Sequence, residues 1–291
     1  MTVLNGQAAV DALIGLLDLR QLSEWTFDGQ SPPVGPQRIY GGHVAAQALV
    51  AAGRTVDPQR RVHSLHGYFV RGGDASVPVR YEVENIRDGR SFSVRRCVAY
   101  QHGKAIFTMS SSFHRDETGL EHQTPGPTDV PPPHEVPTMA ERLARYPERA
   151  SYWALIPRPL DVRYVGEPGW VAPGDRPAQM HQRVWMRLDG ELPDDPLLHA
   201  CMLTFASDMT LLDSVLSAHG EVWGPGGMVG ASIDHALWLH RPFRADEWFL
   251  YDCWSPSAAG ARGLAKGRMF AQDGTNIATA VQEGLLRRVG G

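Results

Sequence analysis

Cysteine is scarce in this sequence. Three occur in 291 residues, Cys97, Cys201 and Cys253, widely separated and never as CxxC. An odd, sparse set supplies neither a disulfide framework nor a cysteine zinc site, and it fits a reducing compartment. As small buried apolar residues the three need no further role. Long hydrophobic runs are also missing. No stretch approaches the ~20 apolar residues of a membrane-spanning helix, so no membrane span is expected. The N-terminus MTVLNGQAAVDALIGLLDLR lacks a basic leader, and Asp11 and Asp18 interrupt its apolar residues; that is not a signal-peptide pattern. Val10, Leu13, Ile14 and Leu17 instead mark one face of a short amphipathic helix. The C-terminal RRVGG carries no address of the SKL kind. Together these readings place the chain in the cytoplasm. Basic excess is absent too: the net charge is −4, against the strongly basic face that nucleic acid or an acidic membrane selects. A local arginine cluster for an anionic small molecule stays open.

Several catalytic signatures are lacking as well. Without GxSxG there is no nucleophile elbow of an α/β-hydrolase. There is no P-loop, and no GxGxxG follows a strand. HEVPTMAE, starting at residue 134, lacks the second histidine of a zinc HExxH site. His63 and His66 are three apart on an expected strand and so face opposite sides, against a shared metal. No metal and no cofactor is expected.

What is present is ordinary globular material, 43% hydrophobic and 21% charged. The Pro131–Pro132–Pro133 cluster cannot sit inside a helix or a central strand. It marks a Pro-rich connector at 116–155, with a short helix over MAERLARY, between an N-terminal unit 1–115 and a C-terminal unit 156–291. Both units run in the same order. In the first, the WTFDG strand precedes a helix over YGGHVAAQALVAAGRTV, then strands at VHSLHGYFVR, VPVRYEVENIRD, SFSVRRCVAYQ and KAIFTMSSSFHR, with Asp-Gly and His-Gly turns. In the second, HQRVWMRLDG is a strand and DDPLLHACMLTFASDMTLL one helix, capped by Asp194 or Asp195 with Pro196 in its first turn. Strands follow at ASIDHALWLHRP, EWFLYDCWSPS, GLAKGRMFAQ and TNIATAVQEGLLRR. An offset of about 170 residues lays Gly103 on Gly274, Ser111 on Gln282 and Arg71 on Arg241. The expected fold is α+β, a tandem (double) hot-dog: each half a long helix wrapped by a curved antiparallel sheet, the two sheets joined edge to edge.

Three polar residues fall where the pattern expects burial. Asp208 lies in the apolar segment CMLTFASDMTLL, Ser232 opens ASIDHALW, and Gln282 sits in ATAVQEGLLR. A carboxylate there is costly unless it is partnered, turned to a wet face, or capping a helix break. Ser232 and Gln282 alone read as structural.

IDHALWLHRPF, SAAGARG and VQEG, in this order and spacing, resemble the acyl-CoA thioesterase II (TesB-type) family, as does the run from Tyr40 to Phe113. The resemblance covers most of 10–115 and 195–288. It implies a double hot-dog enzyme of fatty-acid and lipid metabolism that hydrolyses acyl-CoA to a free carboxylic acid and coenzyme A. It also implies no metal or covalent cofactor, and a homodimer or homotetramer. The family's catalytic triad falls on Asp208, Ser232 and Gln282: Asp208 as general base, the other two positioning water. Arg262 and Gly263 of the GARG run resemble the turn over which pantetheine and phosphates pass, and basic side chains suit phosphates. Arg90, Lys266 and Arg268 are weaker candidates, and Trp238 is a candidate acyl-pocket wall. His43 stands where the family often has Gln, and Ser111 breaks the triad in the first half. Two other readings are a non-catalytic acyl-CoA-binding or regulatory double hot-dog, which loss of the triad would favour, and a hot-dog enoyl-CoA hydratase, whose DxNPxH segment is missing.

Overall fold

The computed structural model describes residues 4–32, 38–146, 158–168, 181–224 and 226–289. The end of the expected connector, 147–155, and the C-terminal Gly-Gly lie outside the described residues. After helix α1 (Gly6–Leu17) the first unit has β1 (Arg20–Ser23), β2 (Thr26–Gly29), α2 (Gly41–Gly53), β3 (Arg60–Phe69), β4 (Val79–Asp88), β5 (Phe92–Gln101) and β6 (Lys104–Arg115). A short α3 (Met139–Leu143) follows. The second unit has β7 (Leu160–Val165), β8 (His181–Leu188), α4 (Pro196–Ser207), α5 (Asp213–His219), β9 (Met228–Ser232), β10 (Asp234–Leu239), β11 (Phe249–Ala259), β12 (Arg262–Ala271) and β13 (Asn276–Arg288).

Among the described residues these strands make one antiparallel sheet, ordered β1-β2-β4-β5-β6-β3-β10-β13-β12-β11-β8-β7, with β9 also on β13. The order is mirrored about its middle, where β3 pairs with β10 and Leu65 faces Leu237. Two sheets joined there hide the edges that each alone would expose. The repeat extends to details. Arg71 Nη1 donates to the Ala105 carbonyl at 2.7 Å, and Arg241 Nη1 to the Asn276 carbonyl at 3.1 Å. The matching hairpins turn at Gly103 and Gly274, both with positive φ.

Every residue of α2 from Gly42 to Ala52 is buried, and every residue of α4 from His199 to Ser207. That explains why neither segment has a polar face: a helix wrapped by sheet is apolar all round. The two helices lie antiparallel, Gly42 against Phe205 and Gly53 against Leu197. Tyr81, Phe107, Met109, Phe113 and Tyr251, each at most 1% exposed, fill the inner sheet face beneath them. The connector covers part of the outer face: the Trp185 indole donates to the Pro131 carbonyl at 2.9 Å, and Val136 is buried with Trp185, Leu250 and Phe270.

The structure differs from the pattern in three places that matter. The helix expected to run through Asp208 to Leu212 stops at Ser207 and restarts at Asp213. The strand expected from Ala231 onward breaks at Ile233, where the Asp234 carboxylate takes the Glu283 N–H at 2.7 Å and Ile233 N–H donates to the Glu283 carbonyl. A bulge at His63 shifts the alternation in β3. His63 therefore bonds Ser112 Oγ at 2.8 Å on the outer face, the face that also carries His66.

Candidate active site

The break after α4 is what presents Asp208. A helix leaves its last carbonyls without intrahelical donors, and two tyrosines, Tyr40 partly and Tyr251 fully buried, supply them here. Tyr40 Oη donates to the Phe205 carbonyl at 2.7 Å, and Tyr251 Oη to the Ser207 carbonyl at 3.0 Å. Burial pushes the Tyr40 phenol far up, helped by the Asp208 and Asp213 carboxylates. Burial does the same to Tyr251, helped by Cys253 and Asp208. Both hydroxyls stay protonated and keep donating.

Three groups converge on the Asp208 carboxylate. Gln282 Nε2 and Ser232 Oγ (3.2 Å) donate to Oδ1, and the Gly42 N–H donates to Oδ2 at 2.7 Å. The three residues expected from sequence are thus brought together. Ser232 is held opposite Gly284, and Gln282 opposite Ala265, by the strand register. Gln282 is fully buried, and its Oε1 finds no hydrogen-bond partner among the described residues. A carboxylate offers about four lone-pair positions; three are used, which leaves one on Oδ2.

The first unit contributes directly. Gly41 and Gly42 open α2, so the positive end of that helix abuts Asp208. A Cβ at Gly41 would stand 2.7 Å from Oδ2, and one at Gly42 2.5 Å from the Phe205 carbonyl oxygen. Only glycine allows this approach. Sequence reading took the pair as a helix opening only; the tyrosine preceding two glycines was its visible trace.

Other expected residues fall elsewhere. Arg262 is half-exposed and donates to Glu283 at 3.0 Å, on the rim of a cavity of about 310 Å³ that Val215, Leu216 and Leu286 help to line. Gly263 is packed beneath Val215, where a Cβ would meet Cγ1 at 2.4 Å; its missing side chain makes room for α5. Lys266 and Arg268 each lie 5.8 Å from the Trp254 ring, and Arg268 also reaches buried Asp252 at 3.5 Å. Trp238 is not a wall near Asp208. The alternation of β10 buries Leu237 and turns Trp238 outward, edge-on to His66 with centroids 4.8 Å apart. His43 is buried, and its Nε2 lies 3.0 Å from the Gln30 carbonyl oxygen, which Gln47 also bonds. The counterpart of Gln282, Ser111, lies opposite Arg95, a buried guanidinium bonded to Thr55 and Asp88. A cation fills the place where the second unit gathers donors around a carboxylate.

A helix-wrapping antiparallel sheet, doubled and joined at β3–β10, defines a double hot-dog protein, and comparison with known proteins agrees. The chain superposes on the crystal structure of an acyl-CoA thioesterase II, TesB2, from Mycobacterium marinum with a TM-score of 0.77 and 42% identity, covering 96% of this chain and 98% of that one. The family model described as acyl-CoA thioesterase matches residues 161–285, and that of the acyl-CoA thioesterase N-terminal domain matches 27–114. Acyl-coenzyme A thioesterase 8 of Homo sapiens is 39% identical over 94% of this chain and 88% of its own length. Acyl-CoA thioesterase 2 of Haemophilus influenzae is 38% identical over 94% and 96%. The chain belongs to the acyl-CoA thioesterase family. No helix among the described residues is long and apolar enough to cross a membrane.

Proposed function

We propose that the protein hydrolyses acyl-CoA to a free carboxylic acid and coenzyme A, with Asp208 as general base. The observation that carries this reading is the convergence of Gln282, Ser232 and Gly42 on one carboxylate, with one acceptor position left on Oδ2. A water donating there is activated by Asp208. Gln282 and Ser232, both bonded to Oδ1, hold the carboxylate in line for that water. As the water oxygen bonds to the thioester carbon, one water proton passes to Asp208 and the carbonyl oxygen becomes an oxyanion. The positive end of α2 stabilises that charge. Collapse breaks the C–S bond, and the departing thiolate takes the proton from Asp208. No covalent enzyme intermediate, metal or cofactor enters.

The C-terminal unit, about 156–291, carries the base and both side-chain donors, and the unit 1–115 supplies the helix end and completes the pocket. Arg262 is assigned to the phosphates of coenzyme A; the turn expected at Gly263 lies one step earlier, at Gly260 and Ala261, and Gly263 is a strand residue that gives α5 its room. The Arg262 ion pair with Glu283 is half-exposed, where exchange of partner costs little. The reading includes a reducing cytoplasmic location, supported by three buried free cysteines. It also includes self-association as a dimer or tetramer, supported by Tyr68 and Phe92 exposed on the outer face and measurable by light scattering. Assay of purified protein on a chain-length series of acyl-CoAs tests the central reading. Release of free thiol is the expected result. Loss of an enoyl signal without thiol release indicates a hydratase, and binding without release a regulator.

A further inference from the structure

His235 takes no part in this scheme, yet it is buried beside it. It lies on β10, three residues after Ser232, and is 1% exposed. Its Nε2 stands 2.7 Å from Oγ of Ser207, the last residue of α4 and the neighbour of Asp208 in the chain. A serine hydroxyl has one proton. Here the Thr204 carbonyl oxygen, 2.9 Å away and one turn back, accepts it. Toward the imidazole the hydroxyl is then an acceptor, and the network assigns the imidazole proton to Nε2. Nδ1 finds no partner among the described residues.

The tyrosine contacts at this helix end satisfy carbonyls that every helix leaves over. The histidine contact does not: the one proton of the Ser207 hydroxyl already serves the Thr204 carbonyl, so the approach of Nε2 to Oγ satisfies no carbonyl of the helix. A leucine at 235 would fill the same interior without burying a lone nitrogen. The carboxylates of Asp208 and Asp234 both act on the imidazole and favour its protonation, but burial outweighs them and lowers its basicity. The ring is a neutral donor.

We propose that His235 is a positioning residue for thioester hydrolysis: its Nε2–H, through Ser207 Oγ, fixes the turn in which Asp208 meets Gln282, Ser232 and Gly42. The proposal rests on Asp208 as the base. It makes the polar contact at Ser207 serve rate rather than substrate affinity, so its signature is a change in kcat with KM unmoved.

Steady-state kinetics on one acyl-CoA substrate, with melting curves, test it. His235→Leu removes the donor. His235→Gln restores one at the position of Nε2, while His235→Asn places one at the position of Nδ1. Expected is a fall in kcat of about 10- to 100-fold for Leu and Asn, as misplacement of a catalytic group by ~1 Å produces, with KM within about twofold. Gln recovers most of the rate. Ser207→Ala, which also gives up the bond to the Thr204 carbonyl, lowers kcat at least to the level of His235→Leu, and adding His235→Leu to it costs nothing more, because the contact between the two is already gone. Should the Leu variant not fold, the contrast between His235→Gln and His235→Asn decides, since both leave the Ser207 bond to the Thr204 carbonyl in place. Unchanged kcat in Ser207→Ala, a loss confined to KM, a Gln variant as slow as Leu, or additive losses would each overturn the proposal. The base assignment fails separately: Asp208→Asn then turns over normally, whereas an inactive Asp208→Asn beside a fully active Ser207→Ala removes the His235 proposal alone.

Discussion

Gly41→Ala moves the carboxylate without removing it. The added Cβ would sit 2.7 Å from Asp208 Oδ2 and 2.9 Å from the Phe69 ring, whereas ordinary contact begins near 3.4 Å. With the aromatic ring on its other side, the methyl gains room mainly by pushing Oδ2 away, by about 0.7 Å (3.4 − 2.7). The Gly42 N–H bond then stretches from 2.7 Å toward about 3.4 Å if the backbone stays put, beyond useful hydrogen-bond length. Misplacement on the order of 1 Å costs roughly 100-fold in rate, so kcat is expected to fall about 10- to 100-fold with KM little changed. Stability should change less: overpacking costs about 1–3 kcal/mol, and replacing a helical glycine by alanine returns about 0.5–1 kcal/mol. The assay is release of the coenzyme A thiol, with a melting curve on the same sample. Gly15→Ala is the control. It lies within α1 with nothing inside 4 Å of its Cβ position, and should raise the melting temperature and leave kcat alone. A Gly41→Ala enzyme within twofold of wild-type kcat would refute the geometry.

Three further outcomes follow from the same structure. Gln282→Glu sets a second carboxylate against Asp208; like charges raise one another's pKa, so the acid limb of the pH–rate profile should move to higher pH, and an unmoved limb contradicts the contact. Burial pushes the Cys97, Cys201 and Cys253 thiols well above their usual value, so a thiol reagent should find none in the native protein and all three after denaturation; native labelling would contradict their burial. Burial also lowers the pKa of His43, His199 and His235 from 6.5. The unfolded chain then takes up protons that the folded one refuses, so their stability contribution is whole above about pH 6.5 and is lost as pH falls from there toward the folded pKa. A melting temperature that drops between about pH 7 and 5 is expected, and a flat curve would count against it.

Much of the fold was legible because the sheet-forming runs alternate and their turns carry glycine. The two β1 and β7 strands were not. Arg20–Ser23 is exposed throughout and so has no alternation to read. Leu160–Val165 does alternate, but it is short and stands directly after the connector. Asp208 was visible as a charge in an apolar run. Its helix break is not legible, because the side chains that contact it, Tyr40 before α2, Tyr251 on β11 and His235 on β10, lie far from it in sequence. Gly42 lies 166 residues from Asp208 in sequence, and no local pattern records such a contact. Period-two counting sets His63 and His66 on opposite faces, whereas a bulge that such counting does not show resets the alternation and brings both to the outer face. Trp238 went astray differently: its large apolar ring pointed to a pocket, while the parity of β10 places it outside with His66.

Turnover of Asp208→Asn tests the account most directly. The substitution keeps the size of the side chain and removes its basicity. Wild type and variant are compared on one purified acyl-CoA by thiol release, with melting curves to establish that both are folded. The account predicts a folded variant slower by about 100- to 10,000-fold, the range lost with a general base. A folded Asp208→Asn with near-normal turnover would contradict it.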